Sequence, residues 1–208
     1  IGIATDGDAD RLGVIDDKAE FLPPNKILVL LYYYLMRYRG WRGAAVRNLA
    51  TTHLLDRIAE DFGETCYEVP VGFKYVSAKM VETGAIIGGE SSGGLTVRGH
   101  IQGKDGIYAA ALLVEAIAKT GRRLSALWDE ITQKYGAAEM AEHDFHFSSA
   151  ERTRIFKLLM EDKQLPEFPC EIAKVSYMDG CKVYFKNGGW VIARFSGTEP
   201  LLRVFCEM

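Results

Sequence analysis

Apolar residues recur at helical spacing in some stretches of the chain and crowd into short blocks in others. ILVLLYYYLM at 27–36 predicts a helix from about Asn25 to Arg39. In HLLDRIAEDF, Leu54, Leu55, Ile58, Ala59 and Phe62 mark a second helix, capped by Thr51 or Thr52 and ended by Gly63. FKYVSAKMVET, GIYAAALLVEAIAK behind an Asp105 cap, and LWDEITQKY behind a Ser125 cap predict three more. Between them IGIAT, VIDD, AAVRNLA, TCYEVPV and AIIGG read as strands, the first as the end of a buried one. This alternation predicts an α/β fold with a mixed, mostly parallel sheet and helices on both of its faces.

From about Ala137 the grammar changes. A helix over roughly 149–161 precedes EIAKVSYM, CKVYFK, WVIARF and LLRVFCE, with Asp179-Gly180 and Asn187-Gly188 between the first three. Such dipeptides between alternating runs are hairpin turns. The reading is a second, smaller α+β domain with an antiparallel sheet, and a boundary near Gly136. Ile1 opens the chain inside a strand and Met208 closes it just after one, as expected of a piece of a longer polypeptide.

The composition, 48% hydrophobic and 25% charged, excludes disordered, collagen-like and coiled-coil classes. With 25 basic against 28 acidic residues, no positive excess exists for binding nucleic acid through its phosphates. The apolar run at 27–36 is far shorter than the roughly 18 residues of a membrane span. Cys66, Cys170, Cys181 and Cys206 are scattered without metal-ligand spacing, which points to a reducing cytoplasm.

Four loops carry chemistry. Asp6, Asp8 and Asp10, alternating with small residues and followed by Arg11, can converge on one hard cation; glycine and glutamate at EF-hand positions six and twelve are missing. In Gly88-Gly89-Glu90-Ser91-Ser92-Gly93-Gly94, Glu90 and the serines suit sugar hydroxyls. In Gly99-His100-Ile101-Gln102-Gly103-Lys104-Asp105-Gly106, Lys104 lies by a helix start and suits an anion, while His100 reads as structural. Arg194-Phe195-Ser196-Gly197-Thr198-Glu199-Pro200, with Arg203 beyond, offers a guanidinium, hydroxyls and backbone N–H groups to a phosphate, without the GK[ST] of a P-loop.

TDGDADRLG, VGFKYV at 71–76, GGESSGG, GHIQGKDG and RFSGTEPLLRV, in this order, resemble the α-D-phosphohexomutase superfamily, phosphoglucomutase/phosphomannomutase branch. The resemblance implies reversible movement of phosphate between the 1- and 6-positions of a hexose, through a phosphoserine and a bisphosphorylated sugar. It implies Mg²⁺ on Asp6, Asp8 and Asp10, with Arg11 beside the phosphoserine and Lys74 near the transferring phosphate. Glu90 and Ser92 would grip the sugar hydroxyls, and Lys104 would meet the anionic substrate. Arg194, Ser196, Gly197 and Thr198, supported by Arg203, would hold the non-reacting phosphate. Residues 1–20 would be the tail of the family's second domain, 21–136 its third and 137–208 its fourth, without the last helix. The family's TxSHNP-type serine loop is absent, so the missing N-terminal domains become the expected partner and the chain should bind hexose phosphate without turning it over. Gly94 stands where some members carry histidine. A haloacid-dehalogenase-like phosphatase with Asp6 as nucleophile, and a non-catalytic sugar-phosphate-binding module, are the alternatives.

Overall fold

A computed structural model describes residues 1–197 and 199–208. They form two compact units, Ile1–Ala137 and Ala138–Met208.

The first unit begins with an antiparallel meander of β1 (Gly2–Thr5), β2 (Leu12–Ile15) and β3 (Phe21–Leu22). Its first strand is not buried as the sequence suggests: Ile1 is 51% and Ile3 39% exposed. β1 is an edge strand whose one hydrogen-bonded neighbour among the described residues is β2. β2 stops before the predicted VIDD run ends, because the Asp16 carboxylate accepts the N–H groups of Lys18 (2.7 Å) and Glu20 (3.0 Å) and turns the chain.

Helix α1 (Pro24–Arg37) leads to β4 (Ala45–Asn48), α2 (Leu54–Asp61), β5 (Cys66–Val69), α3 (Phe73–Thr83), β6 (Ile87–Gly89), β7 (Leu95–Val97), α4 (Gly106–Thr120) and α5 (Leu124–Tyr135). The sheet order is β5-β4-β6-β7, with β5, β4 and β6 parallel and β7 antiparallel to β6. Residues 27–36 of α1 are all buried, as an all-round apolar helix requires. The hydroxyls of Tyr32, Tyr33 and Tyr34 reach the Gly43 carbonyl (3.2 Å), Glu130 (2.6 Å) and Glu115 (2.6 Å). Two glycines let helices press on both faces of the sheet. A Cβ on Gly88 would sit 2.6 Å from Val76 of α3, and one on Gly89 2.8 Å from Leu28 of α1. These glycines serve helix packing.

Ser125 does not cap α5. The N-cap is Arg123, and Ser125 donates its N–H (3.2 Å) and hydroxyl (2.8 Å) to Asp17. The capping oxygen therefore comes from 108 residues away.

The second unit is an antiparallel sheet in the order β8-β12-β11-β10-β9. Its strands are β8 (Met140–His146), β9 (Ile172–Ser176), β10 (Cys181–Phe185), β11 (Trp190–Phe195) and β12 (Leu201–Glu207). Both dipeptide turns are present, with Gly180 at φ 92° and Gly188 at φ 90°. Between β8 and β9, α6 (Ser149–Phe156) opens with a Ser148/Glu151 capping box and runs into a π-helical turn, Lys157–Glu161. Leu159 and Met160 of that turn, with Phe168, pack on Cys181, Val183 and Phe185. The strand β8 was not anticipated, since Met140 and His143 break the alternation of apolar and polar residues in MAEHDFH. The two units are the α/β and α+β architectures expected from the sequence. Among the described residues no helix is long and apolar enough to cross a membrane, and the four cysteines are free thiols.

Candidate functional site

Residues Asp6 to Arg11 close the β1–β2 hairpin. Asp6 accepts the backbone N–H of Arg11 at 3.2 Å and its Nε at 2.6 Å. The Arg11 side chain holds the Asp6 carboxyl below the ordinary carboxylate range. Ala9, at φ 58°, turns the loop so that its carbonyl accepts the Gly106 N–H at 2.9 Å. The start of α4 is thereby docked on the acidic loop. Only glycine fits there, because a Cβ on residue 106 would lie 2.7 Å from the Arg11 carbonyl oxygen.

Asp6, Asp8 and Asp10 each bring one carboxylate oxygen within 4.8 Å of the others. Three hard anionic oxygens at that spacing fit a small divalent cation such as Mg²⁺, whose adjacent ligands sit about 3 Å apart. Two side-chain cations already lean on the loop, Arg11 on Asp6 and Lys104 on Asp10. Lys104 reaches Asp10 across the bare backbone of Gly94, where a Cβ would fall 2.1 Å from the lysine Cδ. This lysine, read in the sequence as an anion contact, is paired with Asp10, itself one of the three clustered carboxylates.

Glu90 follows β6 and is 8% exposed. Its Oε1 accepts from Asn48 Nδ2 (3.0 Å), at the end of β4, and from the Gly72 N–H (3.0 Å), at the start of α3. The turn closes with the Glu90 N–H on the Gly94 carbonyl, at 2.9 Å, and Arg11 bridges to Gly94. Exposed Ser92 joins Thr5, Asp6 and Arg11 in lining a shallow concavity. The loops carrying Asp6, Glu90 and Lys104 thus converge. Lys74 is exposed in the first turn of α3, with its Nζ 4.9 Å from the Tyr75 ring. His100 is structural, as read: it bonds Asp105 at 2.7 Å and stacks on Tyr108 at 4.0 Å. Asp105 caps α4 through the Tyr108 N–H (2.8 Å). Asn48 and Gly72 were not foreseen; an asparagine ending a buried strand was the available signal.

In the second unit, Arg194 and Arg203 are direct cross-strand neighbours on β11 and β12. Each has carboxylates beside it. Arg194 Nε bonds Asp179 at 2.9 Å, while Arg203 lies 3.5 Å from Asp144 and 3.4 Å from Glu199. Ser196 donates its N–H to the Leu201 carbonyl (3.0 Å), and its hydroxyl accepts from the Glu199 N–H (3.2 Å). A side chain on Gly197 would meet open space. Thr198 lies outside the described residues. The paired guanidiniums can take up an anion bidentately. Their acidic partners, Asp179 read only as a turn residue and Asp144 in an unforeseen strand, were not foreseen.

Two family models match the chain: the phosphoglucomutase/phosphomannomutase alpha/beta/alpha domain III over residues 23–135, and the phosphoglucomutase/phosphomannomutase C-terminal domain over 156–208. A phosphoglucomutase/phosphomannomutase of Thermococcus kodakarensis is 34% identical over 206 residues, covering 99% of this chain and 42% of its own length. A phosphoglucosamine mutase of Methylococcus capsulatus is 28% identical over 207 residues, covering 100% and 42%. The crystal structure of a phosphoglucomutase/phosphomannomutase family protein from Burkholderia thailandensis matches at TM-score 0.78 and 26% identity, over 99% of this chain and 42% of that one. The chain spans about two fifths of the length of these relatives. With its loops in the family's order on matching domains, the chain belongs to the phosphoglucomutase/phosphomannomutase family of the α-D-phosphohexomutase superfamily.

Proposed function

We propose that this chain is the metal-, sugar- and distal-phosphate-binding part of a phosphohexomutase that interconverts hexose 1-phosphate and hexose 6-phosphate. Residues 1–20 are then the end of the family's second domain, 21–136 the third and 137–208 the fourth. The observation that carries this reading is the convergence of the Asp6, Glu90 and Lys104 loops on the start of α4, with Gly94 and Gly106 allowing the close approach.

Asp6, Asp8 and Asp10 hold Mg²⁺, which when bound offsets the charge of the phosphoryl group in transfer. Arg11 stays beside that group, and Lys104 and Lys74 supply further positive charge to the substrate's anion. Glu90 and Ser92 take the sugar hydroxyls. Arg194 and Arg203, with Ser196, Gly197 and Thr198, hold the phosphate that does not react. Gripping that phosphate alike in two sugar orientations lets one site serve both regiochemistries. The phosphoserine belongs to a part of the protein outside this chain, so the chain alone binds without turnover.

An NMR titration of the chain with glucose 1-phosphate tests the proposal, with Arg194→Ala as control. Shifts are expected at 90–92 and at 194–203, the latter lost in the variant. Because only part of the contacts is present, binding should be weak. A folded chain that shows no shifts at tens of millimolar ligand would sink the reading.

A further inference from the structure

We infer that Asn48 is a positioning residue for sugar recognition, acting through Glu90; the inference rests on the reading of Glu90 as the acceptor of sugar hydroxyls. Asn48 ends β4 and is 2% exposed. Its Oδ1 is occupied by two donors, the Ala50 N–H (2.9 Å) and the Thr51 hydroxyl (2.8 Å). That settles the orientation of the amide: Nδ2 must face Glu90, and it donates to Oε1 at 3.0 Å. The Gly72 N–H reaches the same oxygen at 3.0 Å.

Two donors on one oxygen stop the carboxylate from rotating about its last bond. Oε2 is left without a protein partner among the described residues, the oxygen able to accept from a ligand. A glutamate side chain has three rotatable bonds, and an unanchored one at this depth would turn toward water. The anchor also links the end of β4, the start of α3 and the end of β6, which places Glu90 in register with the α3 turn that carries Lys74. A carboxylate at position 48 would keep the shape and reverse the effect, setting a second negative oxygen against Oε1.

The test is binding of two probes, glucose 1-phosphate and glycerol 1-phosphate, to the 208-residue chain and to its variants Asn48→Ala, Asn48→Asp, Glu90→Gln and the Asn48→Ala/Glu90→Gln pair. Both Asn48 variants should weaken glucose 1-phosphate by about tenfold, the worth of one well-made hydrogen bond to a charged group. Glycerol 1-phosphate, which lacks the ring hydroxyls, should bind as before. In the Glu90→Gln background, Asn48→Ala should add nothing further. Equal weakening of both probes, or an effect that simply adds to that of Glu90→Gln, would overturn the inference while leaving the Glu90 reading intact. If Glu90→Gln itself leaves glucose 1-phosphate binding unchanged, the underlying reading fails and the inference falls with it. Should Asn48→Ala not fold, Asn48→Ser replaces it, since its hydroxyl can take the Ala50 N–H but is too short to reach Glu90. The Gly72 amide resonance then reports independently, and an unmoved Gly72 signal in a folded Asn48→Ser chain also counts against the anchor.

Discussion

Gly106→Ala is the sharpest test of how the acidic loop is held. In an ordinary helix this exchange stabilises by up to about 1 kcal/mol, because alanine restricts the unfolded chain. Here the added Cβ would lie 2.7 Å from the Arg11 carbonyl oxygen, 2.9 Å from the Arg11 carbonyl carbon and 3.0 Å from the Ala9 carbonyl oxygen. Carbon–oxygen contacts rarely come closer than about 3.3 Å, so the start of α4 and the loop must separate by roughly 0.5 Å or more. All three obstructions are backbone atoms, which cannot swing aside as a side chain would. The separation stretches the 2.9 Å bond from the Gly106 N–H to the Ala9 carbonyl. Overpacking of about 1–3 kcal/mol and a lost hydrogen bond of about 1 kcal/mol outweigh the helix gain, for a net loss of about 2 kcal/mol. Urea denaturation should show it directly. Manganese titration followed by electron paramagnetic resonance should show affinity at Asp6, Asp8 and Asp10 weakened about tenfold, as the carboxylates drift apart. A variant as stable as the parent, with unchanged manganese affinity, would refute the docking of α4 on the loop.

Two further outcomes follow from buried and capping charges. The Tyr108 N–H, and then His100, hold the Asp105 carboxyl below its ordinary range, so its contribution is complete above about pH 4 and disappears as pH falls through the lowered value. Asp105→Ala should therefore cost about 1 kcal/mol at pH 7 and progressively less as the solution is acidified below about pH 4, and a cost that does not fall with pH by urea denaturation would contradict the charged cap. Arg47 is 3% exposed and sits between Asp56 (2.7 and 2.9 Å) and Glu68 (2.6 Å). Arg47→Met removes the guanidinium that both carboxylates share and should cost about 3 kcal/mol, tempered by the partial exposure of Asp56; a loss below about 1 kcal/mol would show that the cluster is looser than its geometry.

Much of the fold was legible because its determinants are local. The FKYVSAKMVET period marks α3 at its observed bounds, Asp105 caps α4, and Gly180 and Gly188 supply the left-handed turns of the second sheet. β8 was missed because its pairing with β12 alone makes it a strand: His143, Asp144 and Phe145 form no clean alternation. Ser125 was misread because a helix start can borrow its cap from a distant loop, and Asp17 is that loop's acceptor.

The sequence by itself determined the periodic helices, the turns and the residue types of the four loops, since each depends on neighbours within a few positions. Tertiary structure alone decided which groups meet. Asn48 and Glu90 are 42 residues apart in the chain, and Lys104 crosses Gly94 to reach Asp10. Such contacts form only after strands pair and helices press on the sheet, and no short-range pattern records them.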